Sequence, residues 1–361
     1  MRKAYFGGTP LNFINIINTH ISYFDGIPAD LFVYNLSPQS AVYAHMIREL
    51  GIFDNVYVVA EKSCGFLGHL TDQFNILLNR NSYFHGHEPL CNYDEVFIPG
   101  LSYFARVMYA QIKKQNQFLK LSYIEDGVGA YIGRNVYYTS SLKKKILHAL
   151  NSYDIFSAEI SSFYVYEPSL SSLPMDKTIQ IPKINKYGRV AELLEKLFPD
   201  EEYGISNAVI FIDEPLPRNV FSFSEFDIFE KIRESLPHDR KLLIKLHPLS
   251  PKTKYGDNID YIKTSLPFEI LFMKSHFDNV VLLNPFSTIL FSLQLMFGEH
   301  ISVKIVTLSS FLTEINQFDV NQSTQLFLNK YNDLASRFIA KFAVTNYFFP
   351  TTPQELLRDL K

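Results

Sequence analysis

The sequence predicts an α/β protein of two domains, each built on a parallel sheet with crossover helices. Three observations carry that expectation. Strand-like apolar runs alternate with segments of helical periodicity along most of the chain. At 361 residues the chain exceeds one domain of roughly 100–200 residues and suffices for two. The apolar runs end abruptly on polar or turn-forming residues, as buried parallel strands do, and 47% hydrophobic against 20% charged content supplies two cores without a case for disorder.

The elements follow in order. After a Gly7-Gly8-Thr9-Pro10 turn, residues 13–17 begin a helix, although five residues do not exclude a strand. Residues 30–35 read as a strand ending at Ser37-Pro38. From Ser40 to Leu50, apolar Ala41, Ala44, Ile47 and Leu50 recur at helical spacing, with Gly51 as C-cap. Residues 55–60 and 94–98 are strands, the second closed by Pro99-Gly100. A helix carrying Phe104, Val107, Met108 and Ile112 leads to a strand over residues 118–124. The stretch from Tyr131 to Ile181 reads as irregular. The domain boundary is placed at residues 185/186, before a helix from Ala191 to Leu197. The second half restarts the alternation: strand 207–212, helix 224–236, strand 241–245 and a short strand at 258–262. A helix opened by Pro267 follows, then strand 279–283, a helix from Pro285 and strand 303–306. Helices at 329–342 and from Pro353 close the chain, the last a candidate to cross back to the first domain.

Composition excludes several classes. A net charge of −3 argues against nucleic acid as a partner, since that binding rests on a basic face. Only Cys64 and Cys91 occur, too few for a disulfide framework and consistent with a reducing cytoplasm. The first ten residues break at glycines before an apolar targeting region forms, and no window approaches the ~20 apolar residues of a membrane span. The expectation is a cytoplasmic protein whose membrane contact, if any, is peripheral at the inner face. Residues 141–148 would form a short basic amphipathic helix suited to anionic lipid, or an ordinary solvated helix face. Nothing indicates an oligomeric state. His85, His87, Glu88 and Cys91 match no standard zinc spacing, so no metal site is expected.

Chemistry-bearing residues gather at strand ends, where open α/β sheets bind ligands. The run 241–246 closes on His247-Pro248; proline fixes its own φ and biases His247 toward extended backbone, holding the imidazole out of the strand end. An ordinary strand-to-loop histidine would look the same. Strand 118–124 ends on Glu125-Asp126-Gly127, with Gly129 beyond. A carboxylate there serves as a general base if its pKa and reach suit the proton removed, and the glycines let backbone pass close to a ligand. A simple Asp-Gly turn is the other reading. Asp213-Glu214-Pro215 is a second acidic strand end. Glu269 falls in the first turn of its helix, where a carboxylate suits the helix dipole. Ser287 and Thr288 fall at a helix N-terminus, where free N–H groups and hydroxyls would suit phosphate, or where Ser and Thr simply cap.

This order of motifs resembles the bacterial sialyltransferases of GT-B architecture, of the lipooligosaccharide, capsule or polysialyltransferase type. Those enzymes carry an acidic-acidic-Gly motif in the first domain, here Glu125-Asp126-Gly127, and a His-Pro motif in the second, here His247-Pro248. The segment around Phe268-Glu269 looks like the one whose glutamate binds the cytidine ribose. The segment Phe286-Ser287-Thr288 looks like the hydroxyl pair that holds the donor phosphate. The match spans about Tyr123 to Leu293. It implies two Rossmann-like domains with parallel sheets facing a central cleft, and a metal-independent inverting transfer of sialic acid from CMP-sialic acid to a hydroxyl of a glycan acceptor. No cofactor is implied beyond that donor. Glu125 would be the base, Asp126 would support or share that role, His247 would donate to the leaving phosphate, and Glu269 would accept ribose hydroxyls. Some lipooligosaccharide relatives draw the base from the second half, which would move the role to Asp213. A GT-B enzyme with another nucleotide sugar, and a non-catalytic subunit of capsule assembly, are the competing expectations.

Overall fold

The computed structural model describes residues 1–36, 39–59, 93–100, 105, 108–109, 112–113, 116–132, 160–199, 203–214, 225–236, 240–247, 250–251, 254–256, 259–264, 266–298, 303–314 and 322–360. The chain divides into two compact units, Met1–Pro199 and Asp200–Lys361. Both are α/β.

The first unit carries β1 (Lys3–Gly7), α1 (Pro10–Tyr23), β2 (Ala29–Tyr34), α2 (Gln39–Glu49), β3 (Asn55–Val59), β4 (Glu95–Ile98), β5 (Lys120–Ile124), a helical turn at Gly129–Ile132, β6 (Ile160–Val165), β7 (Thr178–Gln180) and α3 (Arg189–Leu197). Among the described residues its sheet has seven strands in the order β3-β2-β1-β4-β5-β6-β7. All pairings are parallel. From β1 the chain winds outward through β2 and β3, then returns to the other side of β1 at β4. That reversal is the topological switch point of a Rossmann-like sheet, and ligands bind there beyond the carboxyl ends of the strands.

The central strand β1 is absent from the sequence reading. The four residues between Arg2 and a double glycine show no periodicity, and the strand opens on a lysine. Lys3 is nevertheless buried, because its Nζ pairs with Glu95 Oε2 at 2.5 Å and Glu95 Oε1 accepts from Ser122 Oγ at 2.5 Å. A buried charge survives when it is paired and hydrogen-bonded, and here the partner lies on β4. β6 and β7 likewise fall in the stretch expected to be irregular. Ser161 and Ser162 disguise β6, and its strand character comes from pairing with β5 and β7. The helix α3, expected to follow the domain boundary, belongs to the first unit, burying Ala191, Leu194 and Leu197.

The second unit carries β8 (Gly204–Ile212), α4 (Glu225–Ser235), β9 (Lys241–Lys245), β10 (Asp260–Tyr261), α5 (Phe268–Lys274), β11 (His276–Asn284), α6 (Ile289–Phe297), β12 (Lys304–Thr307), α7 (Ser309–Glu314), α8 (Gln322–Phe342), β13 (Tyr347–Phe348) and α9 (Pro353–Asp359). Its sheet runs β10-β9-β8-β11-β12-β13, again parallel throughout. The winding repeats that of the first unit, with the switch point between β8 and β11. α8 lays Leu328, Tyr331, Leu334, Ala335 and Phe338 along one buried face, and Phe291 of α6 meets Tyr331 and Phe338 edge-on. The terminal helix α9 belongs to this unit. Among the described residues no helix is long and apolar enough to cross a membrane.

Candidate functional site

In the first unit the β1–α1 turn is built for close approach. A Cβ on Gly8 would fall 2.6 Å from Leu36 Cδ1 and 2.9 Å from Tyr34 Cβ, so only glycine fits against the end of β2. Thr9 caps α1 by accepting from Asn12 N at 3.2 Å, and Pro10 supplies the first helical φ. Asn12 answers with its own side chain. Its Oδ1 accepts from Gly8 N (3.1 Å) and Thr9 N (3.2 Å), and its Nδ2 donates to Asp126 Oδ1 at 2.6 Å.

Beside that turn, across the switch point, β5 delivers the acidic pair. Glu125 is only 3% exposed. Its Oε2 accepts from Tyr131 Oη at 2.5 Å and from Tyr166 N at 2.9 Å, and its carbonyl accepts from Asn15 Nδ2 at 2.7 Å. Burial pushes this carboxyl up to about 7, partly opposed by those hydrogen bonds, while the neighbouring Asp126 charge pushes the same way. Asp126 is half-buried. Burial lifts it too to about 7, with the Asn12 amide opposing. Its Oδ2 has no partner among the described residues and faces β4's end, since a Cβ on Gly100 would lie 3.9 Å from it. Gly127 turns the chain with φ of 87°, the left-handed region that glycine enters freely.

The second unit repeats the pattern with other residues. At the end of β8, Asp213 is buried. Its Oδ1 accepts from Lys254 Nζ (2.7 Å) and Tyr255 Oη (2.6 Å), and its Oδ2 accepts from His247 N at 3.1 Å. Burial alone would raise its pKa; the bonds from Lys254, Ser250 and Tyr255 outweigh it and hold the carboxyl below its usual range. His247, half-buried two residues beyond β9, is pushed below its ordinary value by burial, with Lys245 and Lys254 adding to the shift and Asp213 opposing it. These effects together favour the neutral imidazole. Pro248 lies outside the described residues, as do 141–148 and the set His85, His87, Glu88 and Cys91. Among the described residues no group of three metal-ligating side chains occurs.

Glu269, in the first turn of α5, is buried and accepts from Ser292 Oγ of α6 at 2.9 Å; burial raises its pKa, and Lys245 draws it down. Ser287 and Thr288 precede α6, which starts at Ile289, with Thr288 as N-cap. Several of the N–H groups expected to be free there are in use. Asn284 Oδ1 accepts from Phe286 N at 2.6 Å and from Ser287 N, Leu290 N reaches Ser287 O at 3.3 Å, and Ile289 N reaches Ser287 Oγ at 3.4 Å. What this turn offers a phosphate is chiefly hydroxyls, with the dipole of a nine-residue helix behind them.

Each unit thus brings its sequence-expected residues together at its own switch point: Glu125, Asp126 and Gly127 in the first, Asp213, His247, Ser287 and Thr288 in the second. Glu269, on α5, meets Ser292 of α6 and the charge of Lys245 on β9. Asn12, Lys245, Lys254, Tyr255 and Asn284 join them and were not expected. A signal existed for Asn12, which begins a stripe with Asn15 and Asn18 at helical spacing in an otherwise apolar segment, all three buried.

No protein-family sequence model matches this chain, and no curated protein matches it. Among solved structures it aligns with UDP-GlcNAc 2-epimerase from Neisseria meningitidis bound to UDP-GlcNAc (15% identity, 100% of this chain and 97% of that one, TM-score 0.42). It also aligns with LpCGTa in complex with UDP (8%, 99% and 89%, TM-score 0.48) and with Acinetobacter baumannii MurG (8%, 99% and 89%, TM-score 0.42). At these identities and TM-scores the likeness carries no argument about what this chain binds or does.

Proposed function

We propose that this protein is a nucleotide-sugar-dependent glycosyltransferase of GT-B type, and more finely an inverting sialyltransferase that uses CMP-sialic acid. The observation that carries the reading is that each unit, taken by itself, carries a strand-end cluster suited to one half of such a reaction. One is a half-buried carboxylate that burial lifts to about 7, suited to take a proton from an acceptor hydroxyl. The other is the His247 imidazole after β9 and the Ser287 and Thr288 hydroxyls after β11, flanking the end of β8 and suited to receive a departing phosphate.

Within that reading the roles in the acidic pair divide by burial. Glu125 is turned into the core and held by Tyr131 and Tyr166, so it anchors the turn. Asp126 keeps Oδ2 available and becomes the base. The acceptor hydroxyl gives its proton to Asp126 as its oxygen bonds to the anomeric carbon; the bond from that carbon to the phosphate oxygen breaks, and CMP departs. His247, Ser287 and Thr288 donate hydrogen bonds to the phosphate, and Glu269, if it swings from Ser292, accepts from the ribose. Asp213 is ionised, but its oxygens are committed to Lys254, Tyr255 and the His247 amide, which favours a supporting role.

A second reading has its own support. Lys245 and Lys254 both bear on His247, and lysines at that place suit a nucleoside diphosphate sugar. Transfer assays in EDTA separate the two. With CMP-sialic acid and a terminal galactoside or sialoside, wild type should turn over; Asp126→Asn should lose about a hundredfold to ten-thousandfold in kcat, the usual worth of a general base, and Glu125→Gln far less. Turnover only with a UDP- or GDP-sugar would move the donor class, and full activity in Asp126→Asn would remove it from the mechanism.

A further inference from the structure

Asn12 is buried, belongs to no expected motif, and commits both side-chain polar atoms to the two segments that frame the first unit's strand-end cluster. Its carbonyl oxygen collects the Gly8 and Thr9 amides. Its amide nitrogen reaches 114 positions along the chain to Asp126. The side chain is oriented by the first pair of bonds, so the direction of the third is fixed before any ligand arrives. Of the two oxygens of Asp126, Asn12 takes Oδ1, which leaves Oδ2 toward Gly100 just beyond the end of β4.

Building on the transferase reading above, we propose that Asn12 is the positioning residue of Asp126, aiming its free oxygen at the acceptor hydroxyl and keeping the carboxylate ionised enough to act as base. A donated amide hydrogen favours the charged form of a carboxylate, and burial opposes it here. Without Asn12 the opposing effect would stand alone. Asp126 would hold its proton to higher pH, and its side chain would be free to rotate.

Asn12→Ala removes three hydrogen bonds at once and tests folding as much as positioning. Asn12→Asp separates them: the new carboxylate still accepts from Gly8 N and Thr9 N at a helix N-terminus, so the cap survives, while the donor to Asp126 becomes a like charge. We expect Asn12→Asp to keep the melting temperature within a few degrees. The Asp126 pKa, followed by carboxyl carbon NMR, should rise by about one unit or more. The acid limb of kcat/KM should move up with it, and kcat at pH 7 should fall about tenfold or more with donor KM little changed. The exchanged pair Asn12→Asp with Asp126→Asn restores donor to acceptor and should recover stability without recovering activity. An Asp126 pKa and pH profile that stay put in a folded Asn12→Asp would overturn the proposal. If wild type transfers no sugar at all, the transferase reading fails, and the NMR titration still decides whether Asn12 controls Asp126.

Discussion

The two carboxylates at the end of β5 differ by what encloses them, and the difference has a consequence for stability. A carboxyl whose pKa is raised on folding holds a proton that the unfolded chain has already released. Stability is then lost as pH rises, the reverse of an ordinary paired carboxylate. For Glu125 the window runs from its ordinary 4.5 to about 7, a loss of roughly 3 kcal/mol once complete, with Asp126 acting in the same direction. His20 works against this at lower pH. Burial holds it near 4, so between about 4 and 6.5 the unfolded state binds the extra proton and stability rises with pH. Above about pH 7.5 His20 is neutral in both states, and from 6.5 to 7.5 its remaining rise is smaller than the fall from the two carboxyls. Wild-type unfolding free energy should therefore fall between pH 6.5 and 8, and Glu125→Gln with Asp126→Asn should flatten that slope; an unchanged slope would mean that neither carboxyl is raised. The positions of Glu125, Asp126 and His247 were legible because a polar residue closing an apolar run is a local signal. Their environments were not, since Tyr166 and Asn12 lie 41 and 114 positions from the carboxylates they bind.

Among the elements, the β1–α1 turn shows what local sequence carries and what it does not. Gly-Gly-Thr-Pro announced a turn and a helix start, and α1 begins there. The strand before it went unread, because Lys3 has a place in a core only once Glu95 of β4, itself held by the Ser122 hydroxyl of β5, pairs with it. The turn has little slack. Gly8→Ala would press a methyl against Leu36 and Tyr34 and should cost about 1–3 kcal/mol, read as a lower melting temperature. Gly204→Ala, where an added Cβ meets nothing within 4 Å, is the matched control and should change little. Equal effects would contradict the packing described for the first turn. The β11–α6 turn uses the same device: Asn284 accepts from Phe286 and Ser287 amides and donates to the Ile212 carbonyl, tying β8 to the candidate phosphate turn. The stripe with Asn15 and Asn18 marks Asn12 as buried but not what it binds, and Asn284 carries no such mark, because a clamp is defined by its remote partner.

Across the whole molecule, the same winding occurs twice, and it was the alternation of strands and helices that made both sheets readable. Strand order explains why residues far apart in sequence meet: β8 lies between β9 and β11, so Asp213, His247 and Ser287 reach neighbouring strand ends although 74 positions separate the first from the last. The division of labour proposed here assigns the nucleotide to the second unit and proton removal to the first. It is tested most directly by the melting temperature of the full chain with CMP, UDP, GDP or no nucleotide in EDTA, since a ligand of the native state raises it by mass action. The account predicts a rise with CMP that survives Asp126→Asn and shrinks in His247→Ala and Ser287→Ala. A rise with UDP or GDP in place of CMP, a CMP response indifferent to His247 and Ser287, or no response to any nucleotide would contradict it.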